Sequence, residues 1–361
     1  MPMIASLFEQ IATPLKLKPL GLDELMDWTG GVLNRVKRGE FLKKFEQEHA
    51  VQYFYEPFLQ AYDSQLRKDL GVWYTPREIV RYQVARVDAV LRSELGIADG
   101  LADPSVCVLD PCCGTGAYLV ETIRTIYETL AAKGGALVGE KVRKAAMERV
   151  FGFELLPAPF VVSHLQLGLQ LATYGSPLTG TERVPVYLSN ALTGWEPPKT
   201  PKKQLPLPEM EQERDAAEKV KLETILVILG NPPYNAFAGT SPDEEEGLVD
   251  PYKEGLISEW GIKKFNLDDL YVRFFRVAER RIAKTGRGVV SFISNYSWAK
   301  EPRTLCSVNH CWRASTSFGL KTYMGIGRSR STHQTAEQVK LCSPWLDFLQ
   351  ASAKAWSRPF G

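Results

Sequence analysis

The stretch Asn231–Tyr234, which reads NPPY, ends an aliphatic run with an amide, two prolines and an aromatic ring. Prolines fix φ and lack an N–H donor, and they push the preceding residue into an extended shape. The turn therefore presents the Asn231 side chain, a free carbonyl and an aromatic face together. This combination can hold a planar amino group, whose hydrogens reach both oxygens while its ring stacks on Tyr234. A plain turn is the alternative for the proline pair taken alone.

A second stretch, DPCCGTG at Asp110–Gly116, follows another short apolar run and precedes a helical pattern. Glycines at 114 and 116 allow the backbone to approach a ligand, and the following helix offers free N–H groups at its N-terminus. A dinucleotide site would require a third glycine where Leu119 stands, and an acid about 20 residues later. The spacing therefore disfavours NAD. An ordinary strand-to-helix turn is the other interpretation of this glycine pair.

Two further polar residues end predicted strands. Glu154 closes the strand in RVFGFELL, where a carboxylate can accept hydrogen bonds from two ribose hydroxyls. Asn190 closes RVPVYLSN, where an amide can bind the edge of an adenine. Each residue taken alone is more typical of a strand-end charge or a turn former. In open α/β sheets, however, ligands bind at the carboxyl ends of the strands, so the two residues support one shared site.

Apolar strands alternate with amphipathic helices between the glycine loop and Trp298, which predicts an α/β fold with a mostly parallel sheet covered on both faces. Before this region, Thr75-Pro76 predicts a helix start, with Thr75 as N-cap and Glu78 completing a capping box. That helix is expected to place Ile79, Gln83, Val87, Val90 and Leu91 on or near its core face. Residues 39–70 are rich in aromatic residues and read as helical. The predicted strands lie within residues 105–110, 149–156, 183–190, 224–230 and 287–295.

Composition excludes several classes of protein. The 361 residues are 44% apolar and 24% charged with a net charge of +2, as in a globular domain. No apolar run reaches the roughly 20 residues of a membrane span, and the N-terminus does not resemble a signal peptide. Six cysteines without a CxxC pair predict neither a disulfide framework nor a zinc site. We therefore expect a cytoplasmic location, no membrane partner and no metal.

The last 63 residues differ in character from the rest. They contain three of the six cysteines and three of the eight tryptophans, and helix and strand periods fade. We therefore expect an incomplete or aberrant C-terminal part, with a shift of reading frame shortly after Trp298 as the cause. A divergent but genuine tail is the alternative.

Taken together, DPCCGTG followed by NPPY resembles the amino-methyltransferases that use S-adenosylmethionine, specifically the adenine-N6 DNA methyltransferases. YTP at Tyr74–Pro76 matches an element that lies N-terminal to the glycine loop in the γ order of motifs. The longer run from Tyr53 to Val84 resembles the join between coupler and methyltransferase in type ISP restriction-modification enzymes. The resemblance covers about Phe41 to Trp298. It implies a Rossmann-like methyltransferase sheet over residues 71–298, a helical coupler-like segment over 1–70, and an unassigned tail over 299–361.

The resemblance also implies roles. A target adenine flipped out of double-stranded DNA would donate its N6 hydrogens to Asn231 and the Pro232 carbonyl, with Pro233 stiffening the turn and Tyr234 stacking on the base. Nuclease and translocase parts of a larger polypeptide are the implied partners. Protein-glutamine methylation, or a non-catalytic remnant that binds cofactor or partners, remains open. S-adenosylmethionine would be held by Tyr74, Thr75, Pro76, Asp110, Gly114, Gly116, Glu154 and Asn190.

Overall fold

The computed structural model describes the parts of the chain that carry most of the predicted site. Tyr74, Tyr234, the tail over 299–361 and most of the segment over 1–70 lie outside the described residues, so the predictions made for them stay predictions. The same holds for the domain boundaries at 70 and 298. The described residues are 21, 23–37, 75–134, 137–180, 182–194, 208–233, 247–253 and 269–294.

The described elements alternate between helix and strand as the sequence predicts. The helices are α1 (Asp23–Asn34), α2 (Arg77–Ser93), α3 (Ala117–Ala132), α4 (Val138–Arg149), α5 (Pro157–Thr173), α6 (Pro208–Leu222), α7 (Asp250–Lys253) and α8 (Leu270–Thr285). The strands are β1 (Val108–Asp110), β2 (Val150–Glu154), β3 (Val186–Leu188), β4 (Val227–Gly230) and β5 (Val289–Phe292).

The five strands form one sheet in the order β3-β2-β1-β4-β5, and every pair is parallel. This confirms the predicted Rossmann-like α/β fold. Strand order reverses between β1 and β4, because the chain first adds strands on one side of β1 and then on the other. Loops leaving neighbouring strands at such a point turn to opposite faces and open a crevice between them. DPCCGTG and NPPY follow these two strands.

Helices cover both faces of the sheet, as the alternation predicts. On one face, Val108 and Val150 pack with Val84, Leu119 and Leu167 from helices α2, α3 and α5. On the other face, Leu109, Phe151 and Ile228 share a second cluster with residues of α6 and α8. Successive strand residues point to opposite faces, so these short strands are apolar along their whole length.

The structure corrects three local predictions. Helix α4 was not predicted at all, since its sequence VGEKVRKAAMER carries few large apolar residues. Val87 and Leu91 are buried as predicted, but Ile79 is 43% exposed, and Val80 and Val84 complete the core face of α2.

The predicted capping box is also wrong. Helix α2 begins at Arg77, its N-cap is Pro76, and no side chain caps it. Because Thr75 lies one residue too early to cap α2, its hydroxyl is available for another partner. Among the residues that the structure describes, no helix is both long and apolar enough to cross a membrane.

Candidate active site

Four polar residues from the predicted site lie at the carboxyl ends of neighbouring strands. Asp110 and Glu154 are the last residues of β1 and β2, Asn190 follows β3 by two residues, and Asn231 comes directly after β4. All strands are parallel, so these ends meet at one edge of the sheet. The fold therefore brings the four residues to the same side, as the sequence predicts.

Asp110 lies at the centre of this edge and is completely buried. Its Oδ1 accepts a hydrogen bond from the N–H of Cys112 at 3.1 Å. No described residue donates a hydrogen bond to its Oδ2. Burial, with a smaller contribution from the nearby Glu154 carboxylate, raises the pKa of this carboxyl to about 8 despite the bond from Cys112. A buried carboxyl oxygen without a donor is costly and indicates a site for a ligand that donates.

Glu154 differs, because both of its oxygens already accept hydrogen bonds from the backbone. Oε2 accepts from the N–H of Gly114, and Oε1 accepts from the N–H groups of Leu155 and Leu156, each at 2.8 Å. Burial raises the pKa of Glu154, while these three bonds act in the opposite direction. Each carboxylate oxygen has two lone-pair directions, so room for a ligand hydroxyl remains. Glu154 thus fixes the glycine loop to the end of β2.

The glycine loop takes a shape that requires both of its glycines. Gly114 has φ +55° and Gly116 has φ +90°, which are unfavourable for other residues. A Cβ at Gly116 would lie 3.1 Å from Cβ of Ser163, whereas a Cβ at Gly114 would meet no atom of the described residues within 4 Å. Gln166 of α5 donates to the Thr115 carbonyl at 3.0 Å and steadies the loop. Among the described residues, open space therefore lies beside Gly114, next to Glu154.

Asn190 is held in a turn whose carbonyls are bound by a buried lysine. Its Oδ1 accepts from the N–H of Leu192 at 2.9 Å. Lys221, 3% exposed, donates from Nζ to the carbonyls of Asn190 and Thr193 at 2.9 and 2.7 Å. This ammonium also lies 5.2 Å from the centre of the Phe153 ring, where a cation is attracted to the aromatic face. Lys221 therefore fixes the loop that carries Asn190.

Asn231 is bonded directly to the predicted YTP element. Its Nδ2 donates to Oγ1 of Thr75 at 3.0 Å, although 156 positions separate the two residues. Thr75 and Pro232 are buried, while Asn231 and Pro233 are partly exposed. On the other side, Gly230 lies so close to Asp110 that a Cβ there would be 2.7 Å from Oδ1. The end of β4 thus contacts both Asp110 and the segment before α2.

Sequence reasoning missed Lys221 and Gln166. Both lie on helices, where a lysine or glutamine usually faces solvent, and no motif marks them. In the structure, both residues donate hydrogen bonds to carbonyls of the two site loops. Within the described ranges, no group of His, Cys, Asp or Glu could hold a metal ion.

Comparison with known proteins identifies the family that shares this arrangement. A model of the N-6 DNA methylase family matches residues 46–252, more than half of the chain. The chain belongs to the N-6 DNA methylase family. This confirms the resemblance inferred from DPCCGTG and NPPY. It also confirms the prediction of an enzyme of the adenine-N6 DNA methyltransferase family.

Individual relatives of this chain are restriction-modification proteins. The chain is 23% identical over 217 residues to the methylase subunit of the type I restriction enzyme EcoEI from Escherichia coli. The match covers 60% of this chain and 32% of that subunit. The chain therefore spans about a third of the relative's length.

Solved structures show the same fold. A DrdV–DNA complex matches with a TM-score of 0.57 and 25% identity, over 72% of this chain and 24% of that one. The type ISP restriction-modification enzyme LlaGI, solved as a nuclease-deletion mutant with a DNA substrate mimic, matches with a TM-score of 0.53 and 21% identity. That match covers 64% of this chain and 19% of LlaGI. These neighbours are several times longer than the part that they share with this chain.

Proposed function

We propose that this chain binds S-adenosylmethionine and transfers its methyl group to N6 of an adenine in double-stranded DNA, as part of a restriction-modification system. One observation carries the proposal. Asn231 follows β4 directly, beside Asp110 at the end of β1, where the strand order reverses. A crevice with a ligand-binding loop on one side and an Asn-Pro-Pro turn on the other suits transfer between a cofactor and a planar amine.

The residues present fit S-adenosylmethionine. The cofactor carries an ammonium group and ribose hydroxyls as donors, and the buried Oδ2 of Asp110 has no donor among the described residues. Glu154 retains one lone-pair direction, on Oε2, for a ribose hydroxyl, and no described atom lies within 4 Å of a Cβ placed at Gly114. In this proposal Thr75 and Pro76 border the methionine end, as do Tyr74 and Gly116, and Asn190 holds the adenine. When bound, S-adenosylmethionine supplies an electrophilic methyl group.

The chain's own residues would orient the acceptor. Asn231 Oδ1 and the Pro232 carbonyl accept the two hydrogens of the adenine amine, which leaves the nitrogen lone pair directed at the methyl group. Pro232 and Pro233 limit backbone motion in this turn, so the two acceptors stay in place. Positioning of this kind can supply a large part of a rate enhancement. The proposed stacking partner, Tyr234, and the flipped state of the adenine belong to the same proposal.

Two other functions make different predictions. A protein-glutamine methyltransferase would also place a planar amide at NPPY, but the family match and the DNA-bound neighbours support DNA as the substrate. A remnant without activity would bind cofactor and methylate nothing. DNA complexes of the related enzymes also motivate the proposal that nuclease or translocase parts act with this region.

The test measures transfer of tritiated methyl groups to mixed-sequence duplex DNA and to a glutamine-containing peptide, followed by nucleoside analysis. We expect N6-methyladenine from the parent chain, and at least a hundredfold less from Asn231→Ala, by analogy with the loss of one preorganised polar contact in other active sites. Cofactor affinity, measured by calorimetry, should change little in this variant. Asn34→Ala, an exposed asparagine at the end of α1, is the matched control. Methylated glutamine, or equal rates for Asn231→Ala and the parent, contradicts the proposal.

A further inference from the structure

The bond between Thr75 and Asn231 gives the hydroxyl a role that sequence motifs do not suggest. The two residues lie 156 positions apart, and their side chains meet at 3.0 Å in the crevice between the start of α2 and the end of β4. Thr75 is 8% exposed, so water does not readily replace this contact. The hydroxyl does not cap α2.

An asparagine amide has two ends with opposite hydrogen-bonding character. Its oxygen accepts and its NH2 group donates, and a half-turn about χ2 exchanges them. Only one orientation places Oδ1 where it can accept from an amine, while the other presents a donor to a donor. A catalytic asparagine therefore requires a neighbour that distinguishes the two ends.

We propose that Thr75 is the positioning residue that selects the productive orientation of the Asn231 amide. This inference rests on the proposed function. Oγ1 of Thr75 accepts from Nδ2, which fixes Oδ1 as the end directed away from Thr75. The bond also leaves the hydroxyl hydrogen for another acceptor. If a group that can only accept takes this hydrogen, Thr75 cannot donate it to Oδ1 of Asn231. The orientation with Nδ2 toward Thr75 is then favoured further.

Helix α2 is anchored well enough to hold Thr75 in place. Val80 and Val84 are buried in the core on one side. Gln83 donates to Oγ of Ser291 on β5 at 3.2 Å and accepts from the hydroxyl of Tyr118 on α3. These contacts tie the helix after Thr75 to the helix after the glycine loop and to the edge strand next to β4. The hydroxyl is thus presented to Asn231 from a fixed element.

The experiment compares Thr75→Val, which removes the hydroxyl while keeping the shape, with Thr75→Ser, which restores it. Thr122→Val is the matched control, because its buried Oγ1 has no hydrogen-bond partner among the described residues. Initial rates are measured on mixed-sequence duplex DNA at saturating S-adenosylmethionine. We expect kcat to fall roughly tenfold to a hundredfold in Thr75→Val, the range for one lost buried hydrogen bond, and to recover in Thr75→Ser.

A double variant separates positioning from cofactor binding. If Thr75 acts through Asn231, adding Thr75→Val to Asn231→Ser should lower kcat no further, since residues in one network are not additive. Any effect of Thr75→Val on cofactor affinity should persist in the double variant. A parental kcat in Thr75→Val, or effects that add fully in the double variant, overturns the inference.

A second readout does not depend on activity. In the full chain labelled with ¹⁵N at asparagine, the Nδ2 hydrogens of Asn231 should exchange about tenfold faster in Thr75→Val than in the parent, Thr75→Ser or Thr122→Val. Asn231→Ser identifies the signals. If the parent methylates no DNA, the proposed function fails while this measurement still decides the inference. Unchanged exchange in Thr75→Val overturns it.

Discussion

Asp110 and Glu154 end neighbouring strands with the same chemical group and in different states. The carboxylate of Glu154 accepts three backbone N–H groups at 2.8 Å. That of Asp110 accepts one at 3.1 Å, and no described donor faces its second oxygen. Glu154 therefore stabilises the glycine loop, whereas Asp110 has an oxygen that can still accept a hydrogen bond from a ligand. Burial raises the pKa of both carboxyls, and the fewer bonds at Asp110 leave its pKa at about 8.

Asp110→Asn should produce the largest effect on cofactor binding. The substitution keeps the shape and removes the charge-assisted bond to a donor on S-adenosylmethionine, which is worth about 1.5–3 kcal/mol, or roughly tenfold to a hundredfold in Kd. At pH 7 the folded chain holds Asp110 protonated while the unfolded chain ionises it, and the variant lacks this cost, so its thermal stability should not fall below that of the parent. Calorimetric titration beside a melting curve checks both. An unchanged Kd would remove Asp110 from the site.

Glu154→Gln should mainly affect stability. Glutamine has one acceptor oxygen, so at least one of the three N–H groups loses its partner, at a cost of about 1–3 kcal/mol. Chemical denaturation should show this loss against the smaller change in Asp110→Asn. Equal destabilisation by both variants would show that the two carboxylates do not differ in their contribution to stability.

Much of this edge could be predicted from sequence, because it depends on local patterns. Aliphatic runs that end in Asp110, Glu154 and Asn231 predict parallel strands with polar ends, and a parallel sheet brings such ends together. Glycines at 114 and 116 predict a tight loop for the same local reason. The order of YTP, the glycine loop and NPPY along the chain then indicates the family.

The remaining features depend on contacts between distant segments. Lys221 binds carbonyls about 30 positions away, and Thr75 bonds Asn231 across 156. Neither contact leaves a periodic trace in the sequence. Thr75 followed by Pro76 satisfies a capping rule locally, yet the fold gives its hydroxyl a tertiary partner. Helix α4 was missed because its buried residues are Val142, two alanines and Arg149 rather than large apolar side chains.

The pH dependence of stability should also separate the two carboxyls. The unfolded chain releases the Asp110 proton near the ordinary pKa of 3.8, whereas the folded chain retains it until about pH 8. Between these values the folded state binds the extra proton, so Asp110 contributes stability at low pH that is lost as pH rises. The slope for one proton is at most about 1.4 kcal/mol per pH unit.

Asp110→Asn provides the comparison that isolates this contribution. Between pH 5 and 8 the free energy of unfolding of the parent should fall relative to that of the variant, so the difference between the two proteins changes with pH. Cofactor affinity of the parent should increase over the same range, because the ionised carboxylate is the better acceptor. A pH-independent difference between the two proteins would show that Asp110 does not titrate in this window.

The smallest expected effect lies at the glycine that links the two carboxylates. Gly114→Ala keeps the N–H that binds Glu154, and its Cβ meets no described atom within 4 Å, so the expected cost is that of the left-handed φ of +55°, about 1–2 kcal/mol. Gly116→Ala combines a φ of +90° with a Cβ 3.1 Å from Ser163, and should destabilise the fold more.

The affinity of the two variants for S-adenosylmethionine should not follow their order of stability. If the open space beside Gly114 receives the cofactor, Gly114→Ala weakens S-adenosylmethionine binding by more than its modest effect on stability. Calorimetry and denaturation on both variants test this, and a Gly114→Ala chain that binds cofactor with parental affinity would place the ligand elsewhere along the edge.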